Sequence, residues 1–551
     1  MARLPWFHIV GLGIVWTVLV WVGLNYRPLM PIDETRYLSV AWEMWLRSEW
    51  LVPHLNGETY AHKPPLLFWI IKAGWVVFGV DDTWPRMVAP LFGLAGLGLA
   101  WALARRLWPD DTHGIAILVP WILLGSLLWT VFATVTMFDM LNAFFSVLGA
   151  FGVVLAWQGR ARIGWPLVAV AIGLGVLAKG PVILIYILPV ALFAPWWADD
   201  PKPNWIRWYA GFIGALAAGV VIALAWAIPA GMAGGEEYRN AIFWGQTVGR
   251  VNESFAHGRP FYWYLMVIPA VLFPWVIWPP FWRGVGTMIR NTDPAIRFAL
   301  AWVVPGVVIL SFISGKQPHY LLPLFPPFAL LVAAAIGREI EANRREPRLR
   351  DQMPAGLVIL AAGVGLIGLM WWIKSDSTAL GSLGWPPWVS QISIGFGVVV
   401  AILGLILALK HLKSFRAAVV ALTLASAMAV SSVHVFVFSA GGFAYDLERM
   451  AQFLRIMETE QRGLLMVNEY HGQFNYLGRL KTKVDTVPDR VAQGWFLGHT
   501  RGRVIFVSNV PPPNWLRPWF VQAYRGRYMS VWDMDTYPVF RNWLREEGQL
   551  R

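Results

Sequence analysis

Residues 64–80 read PPLLFWIIKAGWVVFGV. Whether this run crosses a membrane decides on which side every later loop lies. It is apolar, but it is short, opens on two prolines and carries Lys72. A membrane span needs about 20 apolar residues. Runs near that length lie at 6–25, 84–104, 113–132, 137–157, 164–179, 181–198, 208–230, 261–282, 296–314, 319–337, 355–373, 390–409 and 416–438, about thirteen in all. Place the N-terminus inside and leave 64–80 at the interface. The inside loops then carry Arg105 and Arg106; Arg160 and Arg162; Lys202 and Arg207; Arg283, Arg290 and Arg297; Arg338, Arg344, Arg345, Arg348 and Arg350; and Lys410, Lys413 and Arg416. Each of these loops is basic, as cytoplasmic loops are. Counting 64–80 as a span would turn all that charge outward. The sequence therefore predicts a non-spanning 64–80 and an outside C-terminus.

Composition agrees with a lipid environment. Of 551 residues, 57% are hydrophobic and only 14% charged, against roughly 25% charged in soluble domains. The 35 tryptophans suit membrane interfaces, where the ring is buried and its N–H stays wet. No cysteine is present, which excludes disulfides and thiolate ligands. The net charge of +13 is accounted for by the inside loops, so no nucleic-acid partner is expected. The apolar run after Arg3 is long, and PLMPIDE behind it has no small-residue cleavage site. It reads as an uncleaved first span.

The expected fold is a polytopic α-helical membrane protein of about thirteen spans with a C-terminal soluble α/β domain. The membrane domain covers 1–439, with long outer loops at 26–83 and 231–260. Residues 440–551 change composition. They hold an amphipathic stretch, DLERMAQFLRIMETEQ, and the strand-like runs GLLMV and GRVIFVSNV.

Ionisable groups at membrane depth are costly, so each is a candidate for function. PIDETRY supplies Asp33, Glu34, Arg36 and Tyr37. HLNGETYAHKPPL supplies His54, Glu58, Tyr60, His62 and Lys63. Asp139 opens a span, and LAKGP carries Lys179 between two others. GRVNESFAHGRP supplies Arg250, Glu253, His257 and Arg259; SGKQPHYLLP supplies Lys316, His319 and Tyr320. The topology places all of them at one membrane face. Plainer roles exist for several. Asp33, Glu34 and Asp139 sit where helices begin, and Lys179 where one ends, positions that suit those charges on their own. Lys63 would serve as an interfacial anchor. Glu469 and His471 in NEYHG have metal-pair spacing, but two residues do not make a site.

IDETRY after the first span, YAHKPPLLFW, an Asp opening a later span, LAKGP and GKQPHYLLPLFPP together resemble the bacterial protein-O-mannosyltransferase-like family of GT-C glycosyltransferases. The motifs cover roughly the first 340 residues, and the architecture the whole chain. The nearest resemblance within the family is to the lipid A 4-amino-4-deoxy-L-arabinose transferases. Other members carry an acid where this chain has His62. The resemblance implies an integral membrane glycosyltransferase of the bacterial inner membrane with its active face periplasmic. Its donor would be an undecaprenyl-phosphate-linked sugar, and its acceptor a lipid A phosphate. Transfer of another sugar to protein or envelope glycan is the alternative. A transporter is the reading from another class, but transporters place charge near the midplane and show two similar halves.

In such a reaction, negative charge grows on the departing phosphate, and fixed cations stabilise it. Lys63 is expected there first, with Arg36, Lys316 and Arg250 or Arg259 beside it. Asp33 and Asp139 are expected as catalytic carboxylates. Glu34, Tyr37, Tyr60, Lys179, His257, His319 and Tyr320 are expected among the substrate contacts. Three roles stay open for the two aspartates: orienting the sugar, pairing with its ammonium, or sharing a divalent metal with phosphate.

Overall fold

The computed structural model describes residues 6–111, 113–249, 258–343, 347–376 and 378–550. Among these, nine helical segments are long and apolar enough to span a membrane. Seven are single helices: Trp6–Tyr26, Thr83–Leu107, Phe138–Trp157, Ala161–Lys179, Trp205–Ala233, Pro294–Phe312 and Leu349–Ser375. Two more run as Pro318–Ala342 and Phe415–Thr459. The other four expected spans are shorter or broken. Ile115–Gly125 is followed by Leu127–Phe132, and Ile183–Leu192 by Ala194–Trp197. Trp263–Val271 and Pro279–Arg290 flank a tight turn at Trp275–Ile277, and Gly395–Leu409 stands alone. In the region 263–290, Pro274, Pro279 and Pro280 account for the break, because proline gives no N–H to the preceding turn.

The run 64–80 forms one helix of 13 residues, Leu66–Phe78. At 1.5 Å per residue it reaches about 20 Å, short of the ~30 Å hydrocarbon core. It buries Leu67, Phe68, Ile71 and Trp75 and exposes Val76, Val77 and Phe78. Lys72 is buried under it, yet its Nζ donates to Met44 O at 2.8 Å and to Glu49 O, and lies 4.2 Å from the Trp50 ring centre. Burial lowers its pKa to about 8. The helix thus lies against the preceding Asp33–Leu46 helix, and the lysine that marks it is a tie between the two.

Helices Phe138–Trp157 and Ala161–Lys179 pack backbone to backbone. A Cβ on Gly152 would stand 2.7 Å from Gly164 O, so only glycine allows this approach. The tight antiparallel hairpin brings the start of one helix, Asp139, level with the end of the other, Lys179. The second helix stops there because Gly180 takes a positive φ of 85° and Pro181 follows.

The loop between the first two long helices contains a small hairpin, β1 (His54–Leu55) and β2 (Glu58–Thr59). The C-terminal region is a five-stranded sheet of β3 (Leu464–Val467), β4 (Asp485–Val487), β5 (Arg503–Ser508), β6 (Phe520–Tyr524) and β7 (Arg527–Trp532), in the order β4-β3-β5-β7-β6. β3 pairs in parallel with β4 and β5; β7 runs antiparallel to β5 and β6. Alternate residues of β3 serve opposite faces, as a period of two requires. Leu464 and Met466 pack with Met450 and Leu454 of the expected amphipathic helix, and Leu465 and Val467 with Phe496, Tyr537 and Phe540.

Candidate functional site

Asp139 is the centre of the ionisable groups. Its side chain is almost fully buried and ion-pairs with Lys179. His319 Nε2 stands 4.0 Å away, and Lys63 is close enough to act electrostatically on both Asp139 and His319. Four separate segments of the chain therefore meet here. Aromatic rings fix the spacing. Lys63 Nζ lies 5.7 Å from the Phe138 ring centre and Lys179 Nζ 4.7 Å from that of Tyr320. The His319 ring packs between Phe132 at 5.3 Å and Tyr320 at 4.9 Å. Tyr186 Oη donates to Tyr320 O at 2.8 Å and holds the turn.

A second group borders the first. Asp33, half-exposed, pairs with Arg36 and accepts from Tyr37 Oη at 3.4 Å. Tyr37 packs edge-on to Phe138 at 4.8 Å. Phe68 also reaches Phe138, at 5.5 Å, and Tyr60 packs on both Phe68 and His62. Burial, then the Asp33 charge, push the Tyr37 phenol well above its ordinary pKa, so it is a neutral donor. Arg36 is raised: burial opposes its charge, but Tyr60, Tyr37 and Asp33 outweigh that. The two groups share the Phe138 ring, so Asp33, Arg36, Tyr37, Tyr60, Lys63, Asp139, Lys179, His319 and Tyr320 form one assembly.

Other expected residues face elsewhere. The Glu34 carboxylate turns away from its neighbour Asp33. It pairs with Arg27 and accepts from the N–H of Met30 at 2.9 Å and of Thr136 at 2.7 Å. Burial would raise its pKa, but Arg27 and the two amides outweigh burial and hold it low. Lys316 is buried, and its Nζ donates to Arg259 O at 2.9 Å and Ile313 O at 2.6 Å. With the Gly258–Gly315 bridge and Arg259 N donating to Ser314 O at 3.2 Å, it fastens two loops together. Burial lowers its pKa. Arg259 itself is exposed. Arg250, Glu253 and His257 lie outside the described residues. His54 bonds the Val52 carbonyl and Glu58 pairs with Lys483. Glu469 and His471 stand 3.4 Å apart, and no third ligand joins them among the described residues. The sequence reading passed over Arg27, Phe138 and Tyr186. An arginine directly after an apolar span was a usable signal for the first; the two aromatics had none among so many.

Among the described residues no three His, Asp or Glu side chains gather. The buried acid, Asp139, has Lys179 and Lys63 for neighbours, and like charge repels a dication.

The helix order, the short helix Leu66–Phe78 and the C-terminal sheet together make up the fold of a known polytopic membrane protein. Across 96% of this chain and 98% of the other, it superimposes on ArnT from Cupriavidus metallidurans bound to undecaprenyl phosphate, with a TM-score of 0.71 at 20% identity. The apo form of that protein gives 0.69. Residues 62–228 match the family described as dolichyl-phosphate-mannose-protein mannosyltransferase. The chain is 29% identical over 349 residues to the undecaprenyl phosphate-alpha-4-amino-4-deoxy-L-arabinose arabinosyl transferase of Pseudomonas aeruginosa, covering 62% of each. It is 30% identical over 323 residues to the protein of the same name from Enterobacter sp., covering 58% of this chain and 57% of that one. The matched part is thus under two thirds of those relatives' length.

Proposed function

We propose that this protein transfers 4-amino-4-deoxy-L-arabinose from undecaprenyl phosphate to phosphate groups of lipid A, at the periplasmic face of the bacterial inner membrane. The observation that carries the reading is the meeting of Lys63, Lys179 and His319 around buried Asp139, at one end of the helical bundle. A lipid-linked phosphate reaches such a place from the bilayer without leaving its headgroup depth.

In the reaction, the bond from the sugar's anomeric carbon to the donor phosphate oxygen breaks. Its electron pair leaves with the phosphate, and an acceptor phosphate oxygen bonds to the same carbon. The acceptor is already ionised near neutral pH and needs no general base. Lys63 stabilises the charge growing on the departing phosphate. Asp139, held by Lys179, orients the sugar. Asp33 does the same from the exposed side.

The test is lipid A mass spectrometry in a bacterium that makes the donor but lacks its own transferase. Expression of this chain should add one aminopentose mass per modified phosphate. Unchanged lipid A, with protein in the membrane and donor present, would overturn the reading; a mass added to protein or envelope glycan would favour the mannosyltransferase-like alternative.

A further inference from the structure

A cavity of about 630 Å³ lies apart from the Asp139 assembly. It opens where four elements end: the end of the first span at Leu24–Pro28, Arg86 in the first turn of Thr83–Leu107, the chain leaving the last span at Phe438–Phe443, and β6 of the C-terminal sheet. β6 is an edge strand of that sheet, and its Gln522 Nε2 donates to Asp446 O at 3.0 Å. Arg27 forms part of the wall. Its guanidinium binds Glu34 and Thr134 O, while Glu34 holds Thr136 N, so a layer of buried, hydrogen-bonded polar groups stands between this cavity and Asp139.

The lining is amphipathic and cationic. Arg27, Arg86 and Arg449 face one acid, Asp446. Arg27 is neutralised by Glu34. Arg86 donates only to the carbonyls of Leu24 at 3.0 Å, Gly23 at 2.6 Å and Arg27 at 2.7 Å. Among the described residues it therefore has hydrogen bonds but no carboxylate in contact. Arg449 is exposed on helix Glu448–Thr459. Set against Asp446, Arg86 and Arg449 leave one positive charge in excess. Phe438, Phe443, Phe520 and Val521 supply the apolar part. Exposed Trp21 and Tyr26 pack together beside the mouth, 6.1 Å between ring centres, as aromatic residues do at headgroup depth. Below them the first span exposes Trp6, Phe7, Ile14 and Val18.

We propose that this cavity binds the phosphodiester headgroup of a monoanionic glycerophospholipid. The headgroup sits between Arg86 and Arg449, and the acyl chains lie along the outer surface of the first span. The excess of one positive charge matches one phosphodiester. An interfacial opening beside an apolar helix surface suits a lipid better than a soluble anion, and basic pockets at helix ends bind lipid headgroups in this way. The site would tie the C-terminal sheet to the membrane plane.

The test uses the full-length protein in nanodiscs of equimolar phosphatidylglycerol and phosphatidylcholine, with retained lipid counted by native mass spectrometry. Phosphatidylglycerol should be retained preferentially. Arg449→Gln should weaken that retention about fivefold, the effect of one arginine at a lipid surface. Arg449→Lys should keep it, and Arg455→Gln, an exposed change on the same helix, should leave it unaltered. Equal retention of phosphatidylcholine, or an Arg449→Gln protein as good as the parent, would overturn the proposal. So would loss of the retained lipid in excess inorganic phosphate, which would mark a site for the free ion.

Discussion

Lys63 and Lys179 bring two ammonium groups to one buried carboxylate, and they are placed differently. Lys179 ends a helix and bonds Asp139; Lys63 stands over the Phe138 face on a loop whose next residues are Pro64 and Pro65. Proline fixes its own φ and holds the residue before it extended, so Lys63 is presented at a set place. Replacing it with alanine is expected to cut sugar transfer per folded molecule by about a hundredfold or more, as loss of one electrostatic stabiliser does. Arginine should restore only part, since a planar fork meets phosphate differently from a point charge. Near-normal transfer by purified Lys63→Ala would remove the leaving-group role. Glu34 makes a contrasting prediction, about stability. Its folded pKa is depressed, so its contribution is present above the ordinary carboxylate value of 4.5 and is lost as pH falls through the folded value. Glu34→Gln should therefore melt lower than the parent near neutral pH, and the gap should narrow only in acid below that value. A gap independent of pH would show that the charge is not what matters.

At the scale of elements, the decisive piece is the helix Leu66–Phe78. Its 13 residues lie along Asp33–Leu46 and expose Val76, Val77 and Phe78 at one end. In this cysteine-free chain, single cysteines at Val80 and Asp110 report the topology. A membrane-impermeant thiol reagent applied outside should label the first and spare the second. Labelling at Asp110 alone would overturn this topology and with it the side assigned to the Asp139 assembly. The glycine-packed hairpin of Phe138–Trp157 and Ala161–Lys179 is the other element that the site needs, because it alone sets Asp139 opposite Lys179.

Taken whole, the molecule joins its two parts through Tyr476. This buried side chain stacks on Trp75 with ring centres 5.4 Å apart, and its Oη donates to Asp81 O at 2.7 Å and Asp82 Oδ1 at 2.5 Å. Its N–H donates to Ser39 Oγ at 3.0 Å, and Trp42 Nε1 donates to Leu480 O at 2.9 Å. The helices so clamped are the ones that begin at Asp33 and follow Lys63. Tyr476→Phe should cost about 1 kcal/mol by losing the hydroxyl bonds, and Tyr476→Ala about 3–5 kcal/mol as a large buried ring is removed. The alanine protein should also lose turnover, which a melting curve and a transfer assay on the same sample would separate. Full turnover in a Tyr476→Ala protein of lowered melting temperature would make the clamp purely structural.

Much of this arrangement was legible in the chain itself. Apolar run length and loop charge are additive, local properties, so they mark candidate spans and predict a non-spanning 64–80 without knowledge of packing. Parity then gathers Asp33, Lys63, Asp139, Lys179 and His319 at one face. What the sequence left undecided is direction. Glu34 follows Asp33 by one residue, a turn of about 100° around the helix, and that step points it at Arg27 instead of the assembly. Lys316 stands three residues before His319, yet its ammonium caps carbonyls of its own loop and of Arg259. The cavity at Arg86 and Arg449 joins residues more than three hundred positions apart. Hydropathy and charge are sums over a segment and survive unfolding on the page; which way a side chain points, and what distant strand closes over it, exist only once helices have packed.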